Sequence, residues 1–186
     1  MKFFVVYAET CIEDYAVPGK EIFQLERACI NSEFQFLDKS PLTVEISDEG
    51  GLHFPDFILS GIIPLISTPV KRVLENFGVD YVFFKPIQLT ARDLGRVENF
   101  WLALPPRINC LDWERSIIET ENNKFAPPID LMREAKTFFI DKHQIGRYNI
   151  FKLAGVVNQE IIVTESLKDA LESAGFENIF FYKTEE

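Results

Sequence analysis

Ser67-Thr68-Pro69-Val70-Lys71-Arg72-Val73-Leu74-Glu75-Asn76-Phe77-Gly78, with Tyr81-Val82-Phe83-Phe84 close behind it, is the stretch whose patterning decides the fold class. Ser67 and Thr68 are both N-cap candidates, because a hydroxyl accepts from the free amides of a first helical turn. Pro69 suits that turn, where no N–H is needed. Val70, Val73, Leu74 and Phe77 recur at helical spacing, with Lys71, Arg72 and Glu75 on the other side, and Gly78 supplies a stop. The aromatic and branched run at 81–84 then reads as a strand. Just upstream, Phe57–Ile66 is apolar enough to be buried, while Gly61 and Pro64 exclude a long helix through it.

Working outward, Phe100–Leu104 reads as a neighbouring strand closed by Pro105-Pro106. Thr137–Ile140, Asn149–Leu153 and Glu160–Val163 are further predicted strands. Thr164 or Ser166 caps a helix whose stripe is Leu167, Ala170, Leu171 and Ala174, and Gly175 ends it. Asn178–Tyr182 is the last predicted strand. In the first third, Phe3–Tyr7 and Glu21–Leu25 read as short strands around the turn signal Pro18-Gly19. Glu33–Phe36 and Leu42–Ile46 alternate apolar with polar residues, and Ser47–Gly51 is a turn. That third is expected to form a small, mostly antiparallel sheet. Strands outnumber helices, no regular β-α-β alternation with a phosphate loop occurs, and no internal repeat is evident. The fold class is α+β, a mostly antiparallel sheet with a few short helices.

The 186 residues suit one domain with a sizeable core. Within it, residues 1–56 are expected to form an acidic β-rich subdomain and residues 57–186 the body. An apolar content of 47% excludes a disordered acidic chain, and three cysteines are too few for a disulfide scaffold. No run of about 18 apolar residues could span a membrane. Nineteen basic against 29 acidic side chains give a net charge of −10, which argues against direct nucleic-acid binding, since phosphate neutralisation needs Lys and Arg. Residues 1–61 hold four basic and eleven acidic groups, net −7, so the first third is the acidic pole. The apolar run at Phe3–Tyr7 is too short for a secretory signal, which implies a cytoplasmic protein. Cys11, Cys29 and Cys110, with only His53 and His143 beside them, show no metal-binding spacing. No metal or other cofactor is implied, and free thiols are the default. Spacing leaves a Cys110–His143 meeting open, because such partners meet in space.

Several segments, taken in order, resemble one family. Pro64 to Gly78 followed by Tyr81–Phe84 is the first. Phe100–Leu104 then leads through Ile108-Asn109-Cys110-Leu111-Asp112 to Trp113-Glu114-Arg115-Ser116. Asn149–Leu153 finally precedes Ile161–Leu171, with Gly175-Phe176 and a last strand behind. This order is similar to that of immunity proteins of bacterial polymorphic toxin systems, the family numbered eleven. The resemblance covers residues 57–183 and leaves 1–56 unmatched. It implies a cytoplasmic protector that binds and neutralises a cognate toxin, and it brings no catalytic residues with it.

Of the family-motif residues Ser67, Asp112 and Ser116, Asp112 is best read as a cap or turn former whose carboxylate meets backbone amides. Its spacing to Ser116 would also suit one helix face and an acid–base role. Trp113 is either core or a toxin-contacting anchor. His53 and His143 read as loop histidines, the latter beside Arg147. Glu9, Glu13, Asp14, Asp48 and Glu49 form either a solvated face or a surface for a basic toxin. Two other classes stay open: an enzyme using Asp48 with Glu49 or Cys110 with His143, and a homodimerising structural module.

Overall fold

Ser67 does begin a helix: its Oγ accepts from the Val70 amide at 3.4 Å and donates to Asp56 Oδ1 at 2.5 Å. The computed structural model describes residues 1–10, 12–31, 34, 37–91, 94–121 and 132–185. Its strands are β1 (Phe3–Tyr7), β2 (Leu42–Glu45), β3 (Phe57–Ser60), β4 (Ile63–Ser67), β5 (Phe83–Ala91), β6 (Arg96–Leu104), β7 (Arg107–Ile108), β8 (Ile117–Glu121), β9 (Met132–Thr137), β10 (Ile150–Leu153), β11 (Ile161–Thr164) and β12 (Phe180–Lys183). The α-helices are α1 (Glu26–Asn31), α2 (Thr68–Asn76) and α3 (Glu165–Ser173), and a 3₁₀ helix at Lys20–Leu25 runs into α1. The class is α+β.

A first sheet has the order β2-β5-β6-β4-β3 and a second the order β12-β1-β11-β10-β7, with β8 and β9 forming a separate hairpin. Helices α2 and α3 pack together between the two sheets. There Val70, Leu74, Leu167 and Leu171 meet Ile66, Phe57, Val163 and Ile161. The outer face of the first sheet is covered by Ile22, Leu25 and Cys29 of the first helical segment. That of the second packs Phe3, Phe151 and Ile162 against Cys110, Ala135 and Ile140.

Several sequence expectations are corrected. Glu21–Leu25 is helical, because Ile22, Leu25, Ala28 and Cys29 are buried at helical spacing while Phe23 is half exposed. The strand expected at Thr137–Ile140 ends at Thr137, and Ile140 makes only a single bridge to Leu111. The first third forms no sheet of its own: β1 pairs with β11 and β12, and β2 runs parallel to β5. The strand expected at Glu33–Phe36, like Cys11, lies outside the described residues.

A repeat is present after all. Phe3↔Thr164, Phe4↔Val163 and Val5↔Ile162 in the second sheet have counterparts Phe100↔Ser67, Trp101↔Ile66 and Leu102↔Leu65 in the first, at a constant offset of 97 residues. The same offset carries Phe83↔Leu104 onto Phe180↔Tyr7. The hairpins correspond too, Phe57↔Ile66 with Ile150↔Val163, across a loop four residues longer in the second half. Asp56 Oδ1 accepts from Ser67 Oγ as Asn149 Oδ1 does from Thr164 Oγ1. Lys71 lies over Phe84 and Trp101, and Lys168 over their counterparts Phe181 and Phe4. Each half is therefore a strand, a hairpin, a helix and a strand. The first strand of each half, β1 or β6, sits inside the sheet of the other.

Lys152 is fully buried at the edge of this frame, donating to Cys29 O and Gln159 Oε1 at 3.2 Å each. Burial pushes its ammonium down from 10.5 to about 8. Below pH 8 both states hold the proton and the burial cost is present in full. Between 8 and 10.5 the unfolded chain keeps a proton that the folded chain has shed, so stability rises with pH. The buried thiols Cys29 and Cys110 act oppositely: burial raises them from 9.0 to about 11 and about 12, so unfolding gains from ionising them above pH 9. Stability measured by urea unfolding is expected to peak near pH 9, after rising by about 1 kcal/mol per pH unit below it. Lys152→Met should flatten that rise.

Candidate functional site

The acidic candidates are gathered by a lacing of backbone hydrogen bonds between residues 14–19 and 45–53. Ala16 N donates to His53 O at 2.7 Å, Ser47 N to Val17 O at 2.7 Å and Gly19 N to Glu45 O at 2.8 Å. His53 N and Gly51 N return to Asp14 O and Tyr15 O. The approach needs glycine: a Cβ on Gly51 would lie 2.1 Å from Asp14 O, and one on Gly50 2.7 Å from Val17 N. This brings the Glu13-Asp14 turn beside the Asp48-Glu49 turn, with all four residues exposed or nearly so.

Two adjoining depressions open on this side. One, of about 370 Å³, is lined by Glu9, Thr10, Tyr15, Leu59, Ser60 and Asn178 among others. The other, of about 600 Å³, holds Lys20, Glu21, Glu45, Asp48 and Glu49, and both share Val17, Pro18 and Ser60. Among the described residues the two adjoining depressions together carry five carboxylates and one ammonium. Tyr15 lies beside His53, and its hydroxyl is raised above its ordinary value by burial and by the charges of Glu177 and Glu9. His53 Nε2 lies 2.5 Å from Glu177 Oε2.

Asn178, Glu21 and Glu45 were not singled out from the sequence. Asn178 is buried at a φ of +60°, a left-handed conformation that Asn tolerates better than most residues. Its side chain accepts from Glu9 N at 2.9 Å and donates to Glu9 O at 3.1 Å and Phe57 O at 2.9 Å. The sequence put it at the head of the last predicted strand, but that strand begins only at Phe180 and Asn178 stands before it.

The other candidates lie elsewhere. Trp113 lines neither depression: its ring packs against Gly155, with the Arg133 guanidinium 5.6 Å from the ring. Asp112 Oδ1 accepts from the amides of Glu114 and Arg115 at 3.2 Å each. Ser116 Oγ accepts from Phe139 N at 3.0 Å, so these two residues shape a turn rather than a helix face. Cys110 is fully buried with a neutral thiol, while His143 sits exposed in the turn after Asp141. Among the described residues no group of three or more His, Cys, Asp or Glu could hold a metal ion. None of the helices described is long and apolar enough to cross a membrane.

The matching family model is described as "Immunity protein family (Imm11)" and spans residues 10–186, so the chain belongs to the Imm11 immunity protein family and has a role in toxin immunity. The match corrects the expected range of 57–183, since it takes in nearly all of the acidic third. No curated protein matches the chain.

Proposed function

We propose that this protein binds a cognate toxin through the acidic groove and neutralises it by occlusion, without catalysis. The observation that carries the reading is the groove itself, with Glu9, Glu21, Glu45, Asp48 and Glu49 along two joined depressions in a chain of the immunity family. Such a lining suits a basic surface, and a toxin that cleaves nucleic acid needs one to hold phosphates. An interface of ordinary size, about 1,600 Å² in total, would reach from the groove over the Glu13-Asp14 turn. The acidic third then supplies partner choice, the remainder serves as its frame, and the cytoplasm is the site of action. Cys110 is fully buried while His143 is exposed, which lends a pairing of the two no support.

Co-purification with the product of the neighbouring gene tests the binding. A charge-reversal series, Glu13→Lys, Asp14→Lys, Asp48→Lys and Glu49→Lys, tests the surface. At low salt the combined variant is expected to associate about 10- to 100-fold more slowly, with the difference shrinking as salt is added. Association rates identical to those of the unmodified protein at low salt would rule out the acidic face as the steering surface.

A further inference from the structure

The first helical segment carries a half-exposed apolar flank beside the acidic surface. Its inner side is spent on the core, where Ile22, Leu25, Ala28 and Cys29 are buried against the first sheet. Glu26 stands one 3₁₀ turn beyond Phe23, and Ile30 one α turn beyond Glu26, so these three share an outer flank. Phe23 is 50% and Ile30 45% exposed, large apolar side chains about 12 Å apart along the axis. Glu26 between them is exposed too.

That flank is held in place before any partner arrives. The last carbonyls of α1 are taken by side chains of the second sheet: Arg107 Nε and Nη2 donate to Ile30 O at 3.1 and 2.7 Å, and Lys152 Nζ to Cys29 O at 3.2 Å. Arg107 Nη1 is itself fixed on Val156 O and Asn158 O at 3.2 Å each. A side chain presented on so rigid a support has little order left to gain on binding, so more of its burial counts toward affinity.

The charge around the flank selects its occupant. Phe23 forms part of the wall of the depression of about 600 Å³, together with Glu21, Asp48 and Glu49. A second copy of the chain would bring the same net −7 of residues 1–61 against it, and like charges set across an interface cost affinity. A basic surface is drawn there instead.

We infer that Phe23, Glu26 and Ile30 form the apolar anchor of the toxin interface and take an apolar side chain of the toxin that is set among Lys and Arg. This rests on the toxin-binding reading and adds a division of labour to it. The carboxylates govern how fast the toxin arrives, and Phe23 and Ile30 govern how long it stays.

The test uses the full-length protein and, as probe, an inactivated form of the toxin encoded beside its gene. Replacing both residues, Phe23→Ala with Ile30→Ala, is expected to speed dissociation about 100-fold, at low and high salt alike. Association at low salt should stay within about threefold of the unmodified protein, and melting should move by no more than about 3 °C, because both side chains are half exposed. Glu26→Arg, which sets a cation between the two anchors, should weaken binding at least about 10-fold, and it decides the matter if the alanine pair misfolds. Toxin binding at full affinity in the alanine pair, or in Glu26→Arg where the pair does not fold, overturns the anchor while leaving toxin binding intact. A loss confined to the association rate overturns it as well. Absence of any binding by the unmodified protein removes both. A dimer of the unmodified protein in sedimentation that the alanine pair abolishes would assign the flank to a second copy, and that too overturns the proposal.

Discussion

A chain begun at Ala8, lacking β1, is expected to show no cooperative unfolding transition and to bind a hydrophobic dye. β1 is an interior strand of the second sheet: it pairs with β11 on one side and β12 on the other. Without it β12 has no strand partner among the described residues, and the amides and carbonyls of β11 that faced β1 lose theirs, while its pairing with β10 remains. Phe3 leaves one core, while Phe4 and Val6 leave the layer around α3. Each orphaned, half-buried backbone group costs on the order of 1–3 kcal/mol, so the sum exceeds the 5–15 kcal/mol that holds an ordinary domain together. A synthetic peptide of residues 1–8 added in trans should restore the transition. A truncated chain that melts within a few degrees of the full one would show that the second sheet does not depend on β1.

Phe3→Ala and Phe100→Ala are each expected to cost about 3–5 kcal/mol, and by similar amounts. The two residues hold the same place in the repeat, opposite Thr164 and Ser67, and both are almost wholly buried. Phe3 meets the Phe151 ring edge-on at 6.2 Å, and Phe100 lies 6.3 Å from Phe54. Each truncation opens a cavity inside a sheet-to-outer-layer core that rigid strands cannot close. Urea unfolding of the two variants checks this. A cost below about 1 kcal/mol at either site would mean that the surrounding layer collapses into the space.

What the sequence disclosed follows from how local each signal is. The Ser67 cap, the Gly78 stop and the Leu167–Leu171 stripe were legible because a helix start, stop and face are written within a dozen residues. Glu21–Leu25 misled because Ile22, Phe23 and Leu25 form too short a window to separate a period of two from one of 3.6. The exposed Phe23 and the buried Cys29 beyond it settle the matter only in three dimensions. The repeat was hidden for a different reason. Lys71 and Lys168, Leu74 and Leu171, Gly78 and Gly175, Phe83 and Phe180 are identical, yet they are scattered among substitutions that keep only shape and polarity. Of the candidate site, the turns at Glu13-Asp14 and Asp48-Glu49 were found by charge alone. Glu45 and Glu21 were passed over as ordinary strand residues. The wall made by Asn178 depends on an approach across 169 residues to Glu9, which no local pattern can announce.

The exchange of first strands also bears on the order in which the protein is made. β1 has to wait for β11 and β12, which are translated long after it, before it can pair. The first sheet is delayed as well, because β6 lies between β4 and β5. Neither half can therefore finish folding on its own during synthesis, and pairing over such sequence distances is slow. The outcome is a built-in check on completeness: a chain terminated before β11 and β12 leaves β1 without its partners and cannot assemble the second sheet.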